Sequence, residues 1–349
     1  MRNKFISLSC ALLLVTLLFS CSTNKPSGYW PTTEWRTVTP RKAAIRAEMP
    51  KSVDAYIQGS LPNTSSVLVV RNGFIVMEKY YEGDAKTKWN LFSVTKSFTS
   101  ALVGVCIGLG YLPNVDAKMI DLVPQNKAAL LDDRVSRVTL RHLLTMSDAI
   151  RCSFNPNLEV FLEEEKLFKP IQTEPGKAFN YNELSPRMIS IAITRVSQMK
   201  AIDLARKFLF APMGIEEVEW FDYPKGYSDG ALKLMLTSRD IAKFGYLYLK
   251  NGLWDGQQLV PRDWILESTK SQIATRDFRK YWKEYGYFWW IYNFGLYQAY
   301  YAFGSGGQMI CVVPELSLIV VMTSSQVEDT NPQGYLRLVD EYIIKAIKK

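Results

Sequence analysis

The β-forming residues of this chain crowd its two ends and leave the middle to helices, and that distribution narrows the possible folds more than any other feature. Ser66–Val70 and Gly73–Met77 read as two strands around Arg71-Asn72-Gly73, a tight hairpin signal. Far along the chain, Tyr285–Tyr292, Gln298–Phe303, Gln308–Val313 and Leu316–Met322 are aromatic or β-branched runs, the last two around a Pro314-Glu315 turn. From 112 to about 220 the pattern is helical, punctuated by Pro113, Pro124, Pro156, Pro170, Pro175 and Pro186. Strands at both ends bury their faces together only in one shared sheet. The expected fold is therefore α+β: an antiparallel sheet flanked by helices as an α/β sandwich, with a mainly helical lobe inserted. The sheet lobe spans about 46–110 and 235–349, the helical lobe about 111–234, and the cleft between them is the expected site. Helices are expected near 41–59, over Ile241–Leu249 after the opening Thr237-Ser238-Arg239-Asp240, and over Val339–Ile347.

The first twenty residues lie outside this scheme. Arg2 and Lys4 precede the apolar run Ile6–Phe19, as in a signal segment, and Leu18-Phe19-Ser20-Cys21 resembles a bacterial lipoprotein junction in which Cys21 is lipidated. The alternatives are ordinary secretion or an uncleaved anchor. Residues 21–45 are polar and rich in Pro and Thr, which predicts a tether ahead of a folded domain over 46–349. The protein is thus expected in the bacterial cell envelope, exported and held to a membrane through Cys21. Losing Arg2 and Lys4 lowers the formal charge from +8 to +6, and the remaining charges are scattered. No basic, aromatic nucleic-acid face stands out; mild attraction to anionic membrane or wall surfaces is the simpler reading. Beyond Cys10 and Cys21, only Cys106, Cys152 and Cys311 remain, which allows at most one bridge. With a single histidine, His142, and no paired cysteine motif, neither a zinc site nor another cofactor is expected.

That scarcity of histidine gives weight to Asn90-Leu91-Phe92-Ser93-Val94-Thr95-Lys96-Ser97-Phe98. A lysine one helical turn from a serine, held neutral by burial, can take the serine's proton and make a nucleophile without histidine. The spacing alone is weak, because S-x-x-K arises roughly once in a chain of this length. Here it occurs at Ser22/Lys25, Ser93/Lys96 and Ser197/Lys200. Ser22 lies in the polar segment beside the processing junction, and Ser197 closes a helical pattern as a solvated end. Only Ser93 precedes a long apolar helix, with Phe98, Ala101, Leu102, Val105 and Leu109 along one face. Gly104, Gly108 and Gly110 lower its propensity and suit close packing by neighbours. Ser93 would then sit at a helix N-terminus, where free N–H groups favour a developing anion.

The whole chain resembles the serine β-lactamase and penicillin-binding-protein-like superfamily, in its class C β-lactamase-related branch, which includes esterases, D-amino-acid peptidases and 6-aminohexanoate-dimer hydrolases. The resemblance runs from about residue 60 to 345. It rests on Phe92–Ser97, on Val138–Met146 with its Arg141-His142-Leu143-Leu144, and on Pro175-Gly176 through Phe179 to Tyr181-Asn182. It continues through Thr237–Gly245, Tyr287–Trp290 and Gly304–Pro314, all in the family order. It implies a β-lactamase/DD-peptidase-like fold, Ser93 as the acylated nucleophile and Lys96 as its general base. It implies Tyr181 as acid/base, with a pKa lowered by nearby cations. From Gly304-Ser305-Gly306-Gly307 it implies an oxyanion hole of the Ser93 and Gly307 N–H groups. Asn182, Glu183, Ser305 and Gly306 would contact substrate.

Two positions depart from the family pattern. Gly304 stands where the family's strand triplet begins with Lys or His, and Glu183 stands where Tyr-x-Asn ends in asparagine. Both argue against efficient β-lactam hydrolysis and for an ester, amide or small peptide substrate, with a free amine expected near Glu183. A weak β-lactamase or D-Ala-D-Ala-type peptidase is one alternative; a catalytically silent wall- or ligand-binding protein is another. Gly226-Tyr227-Ser228-Asp229-Gly230 matches a G-x-S-x-G nucleophile elbow, but Pro224 precedes it and His142 lies upstream, the wrong order for that triad. It reads as a loop lining the cleft. His142 reads as a core or capping residue, Glu163-Glu164-Glu165 as a solvated helix face, and Phe288-Trp289-Trp290 as sheet core that can also wall a pocket.

Overall fold

A computed structural model describes residues 28–123, 133–150, 173–223, 226–279, 282–326 and 332–348. The signal segment, Cys21, Cys152 and Glu163–Glu165 lie outside the described residues. Helix α1 (Met49–Ser60) leads into the hairpin β1 (Thr64–Arg71) and β2 (Phe74–Tyr80). Asn72 and Gly73 have φ of 52° and 83°, the doubly left-handed pair that a two-residue hairpin turn requires. A short strand β3 (Lys88–Asn90) then delivers the chain to α2 (Thr95–Gly108).

The middle of the chain supplies α3 (Leu140–Leu144), α4 (Leu184–Ser197), β4 (Glu219–Trp220) and β5 (Leu234–Thr237). The chain returns to the sheet through α5 (Ser238–Leu249) and α6 (Arg262–Ser268). There follow β6 (Ile273–Arg279), β7 (Trp282–Tyr285), β8 (Trp290–Phe294), β9 (Tyr297–Gly304), β10 (Gln308–Val313) and β11 (Leu318–Ser324), and then α7 (Gln333–Arg337) with helical turns to Ala346.

Eight strands form one antiparallel sheet in the order β6-β7-β8-β9-β10-β11-β1-β2. The N-terminal hairpin is thus sewn onto the C-terminal strands through β1 and β11, as the two-ended β pattern requires. The sheet core is β-branched: Val67–Val70 and Leu318–Val321 are fully buried. Helix α5 lies on the sheet closely enough that a Cβ at Gly245 would fall 2.9 Å from Ile319 Cγ2. Thr237 caps it, accepting the Asp240 N–H at 3.2 Å, as the opening motif predicts.

Helix α2 is the central element. Every residue from Thr95 to Cys106 is buried, so all faces are packed rather than one. Gly104 admits the Trp264 indole of α6, whose Cδ1 would lie 2.5 Å from an added Cβ. The helix stops at Gly108, which leaves Leu109 44% exposed instead of continuing the apolar face.

Several expected boundaries shift. The tether does not extend through 28–45: Trp35 and Ile45 are buried, Thr37 bridges Ile75, and Ile45 bridges Ile347. Its aromatic and β-branched members outweigh its polar composition. The expected run Tyr285–Tyr292 is interrupted, because Phe288 adopts φ of 62° and ends strand geometry between β7 and β8. Ser197 is buried and donates to Ile193 O at 2.7 Å, while Lys200 pairs with Asp222; the third S-x-x-K is a structural helix end, not a solvated one. Cys106 and Cys311 are buried free thiols. Among the described residues no helix is long and apolar enough to cross a membrane, and no cluster of His, Cys, Asp and Glu could hold a metal ion.

Candidate active site

Ser93 sits in a tight turn between β3 and α2. Asn90 Oδ1 accepts the Phe92 N–H at 3.0 Å, and Phe92 takes φ of 44°, a left-handed conformation that an aromatic residue adopts only under tertiary constraint. That strain turns Ser93 onto the first turn of α2. Lys96, one helical turn on, has a fully buried side chain and donates to Ser93 Oγ at 2.9 Å.

Lys96 Nζ has two further acceptors. The Glu183 carboxylate lies at 3.0 and 3.1 Å, and Ala231 O at 3.2 Å. Ser93, Glu183 and Ala231 together match the three protons of an ammonium. Burial works against the charge on Lys96, but Glu183 and Tyr181 outweigh it and hold the pKa above its ordinary value. This corrects the expectation of a lysine neutralised by burial: a carboxylate stands beside it. Glu183 is equally not a free anionic subsite for a substrate amine, because its charge is compensated by Lys96.

Tyr181 completes the cluster. Its ring lies 5.1 Å from Lys96 Nζ, and its hydroxyl interacts with both Ser93 and Lys96. Burial raises its pKa, Lys96 lowers it and Glu183 raises it; the net direction is upward, the opposite of the expected lowering. Tyr181 stacks on Trp290 at 5.8 Å and meets Tyr285 edge-on at 6.4 Å, with Phe179 beside them. Trp290 therefore walls the site, whereas Trp289 packs into the core against Phe244 and Tyr248.

The turn after β9 brings four residues, Gly304 to Gly307, beside the Ser93 turn and α7. Phe303 meets Tyr335 of α7 at 5.4 Å, and an added Cβ on Gly307 would collide with that same tyrosine. Gly306 lies against Gln326 O. Gly304, by contrast, faces Ser93: a Cβ there would fall 2.6 Å from Leu91 O and 3.1 Å from Ser93 N. A Cβ added at Gly307 would thus point toward α7, and one at Gly304 toward the Ser93 backbone. The family cation at 304 is not merely missing, since any side chain would collide with the Ser93 turn. Ser305 is exposed at the mouth of this turn, and Gly306 is buried.

Asn182 is engaged within its own loop. Its Oδ1 accepts both the N–H and the hydroxyl of Ser185 at 2.8 Å, and its Nδ2 donates to Asn180 O, so it fastens the start of α4. The loop read from the elbow-like motif has a definite role that sequence reasoning missed. Asp229 accepts two bonds from Arg187 and the Ala231 N–H at 3.1 Å, and thereby aims Ala231 O at Lys96. Ser228 is buried and accepts the Ile202 N–H at 3.2 Å. No local pattern in the sequence announced the Arg187–Asp229 pair. His142 Nδ1 accepts the Thr139 N–H at 3.1 Å, and Gly176 packs on its ring, which gives it the structural role expected.

An antiparallel sheet with a serine–lysine pair at the head of a central helix, and a tyrosine opposite, defines a class: the β-lactamase/DD-peptidase-like fold. The chain belongs to the beta-lactamase family, whose profile matches residues 53–341. That family is one of β-lactamase-fold hydrolases, whose members are serine hydrolases. The chain is 20% identical over 316 residues to an uncharacterized protein of Alkalihalophilus pseudofirmus, covering 79% of this chain and 87% of that one. Its fold matches a protein of Bacillus anthracis assigned as a 6-aminohexanoate-dimer hydrolase (TM-score 0.71, 18% identity, 89% of this chain and 86% of that one). It also matches an octameric penicillin-binding protein homologue from Pyrococcus abyssi (0.70, 18%, 85% and 78%). A class C beta lactamase from Rhodobacter sphaeroides is similar as well (0.67, 15%, 84% and 99%). At such identities the likeness carries the fold alone.

Proposed function

We propose that this protein hydrolyses a neutral ester, amide or small peptide bond through a covalent acyl-enzyme on Ser93. The observation that carries this reading is the 2.9 Å contact between the buried Lys96 Nζ and Ser93 Oγ, in a cluster that also holds Tyr181. Ser93 Oγ attacks the carbonyl carbon, Lys96 and Tyr181 move the proton to the leaving group, and water releases the acyl group. The N–H groups of Ser93 and Gly307 are the donors assigned to the oxyanion. The aromatic wall of Tyr181, Trp290 and Phe179 favours an apolar group on the substrate. Gly304 leaves no cation for a carboxylate, which disfavours β-lactams and D-Ala-D-Ala peptides. Export and attachment through Cys21 would place this activity in the cell envelope.

One observation favours a second reading, a silent binding protein with the same fold: Glu183 keeps the would-be base charged. A fluorophosphonate and a fluorescent penicillin separate the readings. We expect the fluorophosphonate to label the wild type and not Ser93→Ala, penicillin to label poorly, and p-nitrophenyl esters to be cleaved far faster than nitrocefin. Labelling by neither reagent supports the silent protein, and efficient nitrocefin hydrolysis without esterase activity overturns the substrate class.

A further inference from the structure

Lys96 poses a proton-counting problem. An ammonium with its three protons committed to Ser93, Glu183 and Ala231 has no lone pair, so it takes the Ser93 proton only by giving one up. Ala231 O is a carbonyl and cannot accept a proton at neutral pH. Tyr181 is already protonated, its pKa being raised. Glu183 is the remaining acceptor: both its oxygens lie within 3.1 Å of Nζ, and its side chain is 37% exposed toward solvent.

We propose that Glu183 is the proton reservoir of the site, receiving through Lys96 the proton that Ser93 loses. The proposal rests on the acyl-enzyme reading above. As Ser93 Oγ bonds the carbonyl carbon and the carbonyl π pair moves onto oxygen, the Ser93 proton passes to Nζ while an Nζ proton passes to Glu183. Lys96 keeps its charge throughout, and Glu183 becomes a carboxylic acid. When the tetrahedral species collapses, the bond to the leaving group breaks. That group takes a proton back along Glu183, Lys96 and Tyr181. Water then repeats the cycle on the acyl carbon, and its second collapse returns a proton to Ser93 Oγ. Glu183 touches no reacting atom, so it is a positioning residue that acts through Lys96.

The groups facing this pair are few. Helix α2 and its leading turn present Ser93, the loop before α4 presents Tyr181, and β7 presents Tyr285, which stays protonated because burial raises its pKa well above 10. The loop 229–231 presents the Ala231 carbonyl, with Asp229 behind it paired to Arg187. None of these replaces Glu183 as acceptor.

The test is the pH dependence of the second-order rate at which a fluorophosphonate labels Ser93, a single acylation-like step. The wild type should keep its rate down through mildly acidic pH. Glu183→Gln must instead strip Lys96 itself of a proton. It should lose at least tenfold at pH 6, show its acidic limb at higher pH by more than one unit, and regain rate in alkali. Glu183→Asp should return the limb toward the wild-type position. Thermal midpoints of all three proteins show whether the variants are folded. A folded Gln variant that labels as fast as wild type, or faster, at every pH overturns the relay. A wild type that does not label at all overturns the acyl-enzyme reading and the relay together.

Discussion

Lys96 carries its charge in a place where charge is costly, and that cost makes its surroundings testable one residue at a time. Its pKa is raised in the folded protein, so its contribution to stability is complete below the ordinary value of 10.5 and is lost as pH rises through the folded value. Lys96→Met keeps the stem and removes the charge. Its stability deficit in urea unfolding should therefore be larger at pH 7 than at pH 11, and its esterase rate should fall by about 10² to 10⁴. Asp148 presents the opposite case. Burial raises its pKa. The Ser185 hydroxyl donates to Asp148 Oδ2 at 2.7 Å, which offsets that rise only in part. A raised carboxyl pKa gives stability that is full below 3.8 and lost as pH rises through the folded value. Asp148→Asn should hence match wild type near pH 3 and be the more stable protein at pH 7. At Gly304, an added methyl meets Leu91 O and Ser93 N, so Gly304→Ala should cost about 1–3 kcal/mol and depress kcat more than it raises KM.

At the scale of elements, the site is assembled by helix beginnings. Ser93 opens α2, and Tyr181-Asn182-Glu183 opens α4, where Asn182 accepts the Ser185 N–H. Asn182→Ala should lower stability by about 1 kcal/mol and reduce activity by loosening Tyr181 and Glu183, as urea unfolding and ester kinetics would show. Much of this was legible beforehand. The hairpin at Asn72-Gly73, the capped start of α5 and the S-x-x-K that precedes an apolar helix each follow from local chemistry. What local chemistry could not supply was orientation. Gly304, Gly306 and Gly307 look alike in sequence, and only the alternation of β9 and the seat of Tyr335 decide which one faces Ser93. Nor does Glu183 announce a partner 87 positions away, so its role changed from a substrate contact to a counter-ion of Lys96. The break at Phe288 depends on φ of 62°, which no aromatic run predicts.

Across the whole molecule, the sheet joins the two ends of the chain and the helical insert covers α2, so the nucleophile and its partners come from segments far apart. The N-terminal stretch belongs to that body: Trp35 donates to Arg239 O, and Arg239 in turn holds Glu78. Trp35→Ala should therefore destabilise the fold by about 3–5 kcal/mol, a drop in thermal midpoint that a true tether would not show. The central claim is that all these contacts serve one reactive hydroxyl, and intact-protein mass spectrometry after fluorophosphonate treatment tests it most directly. The account predicts a single adduct that peptide mapping places on Ser93 and that Ser93→Ala abolishes. An adduct on another residue, or one undiminished in a folded Ser93→Ala protein, would contradict it.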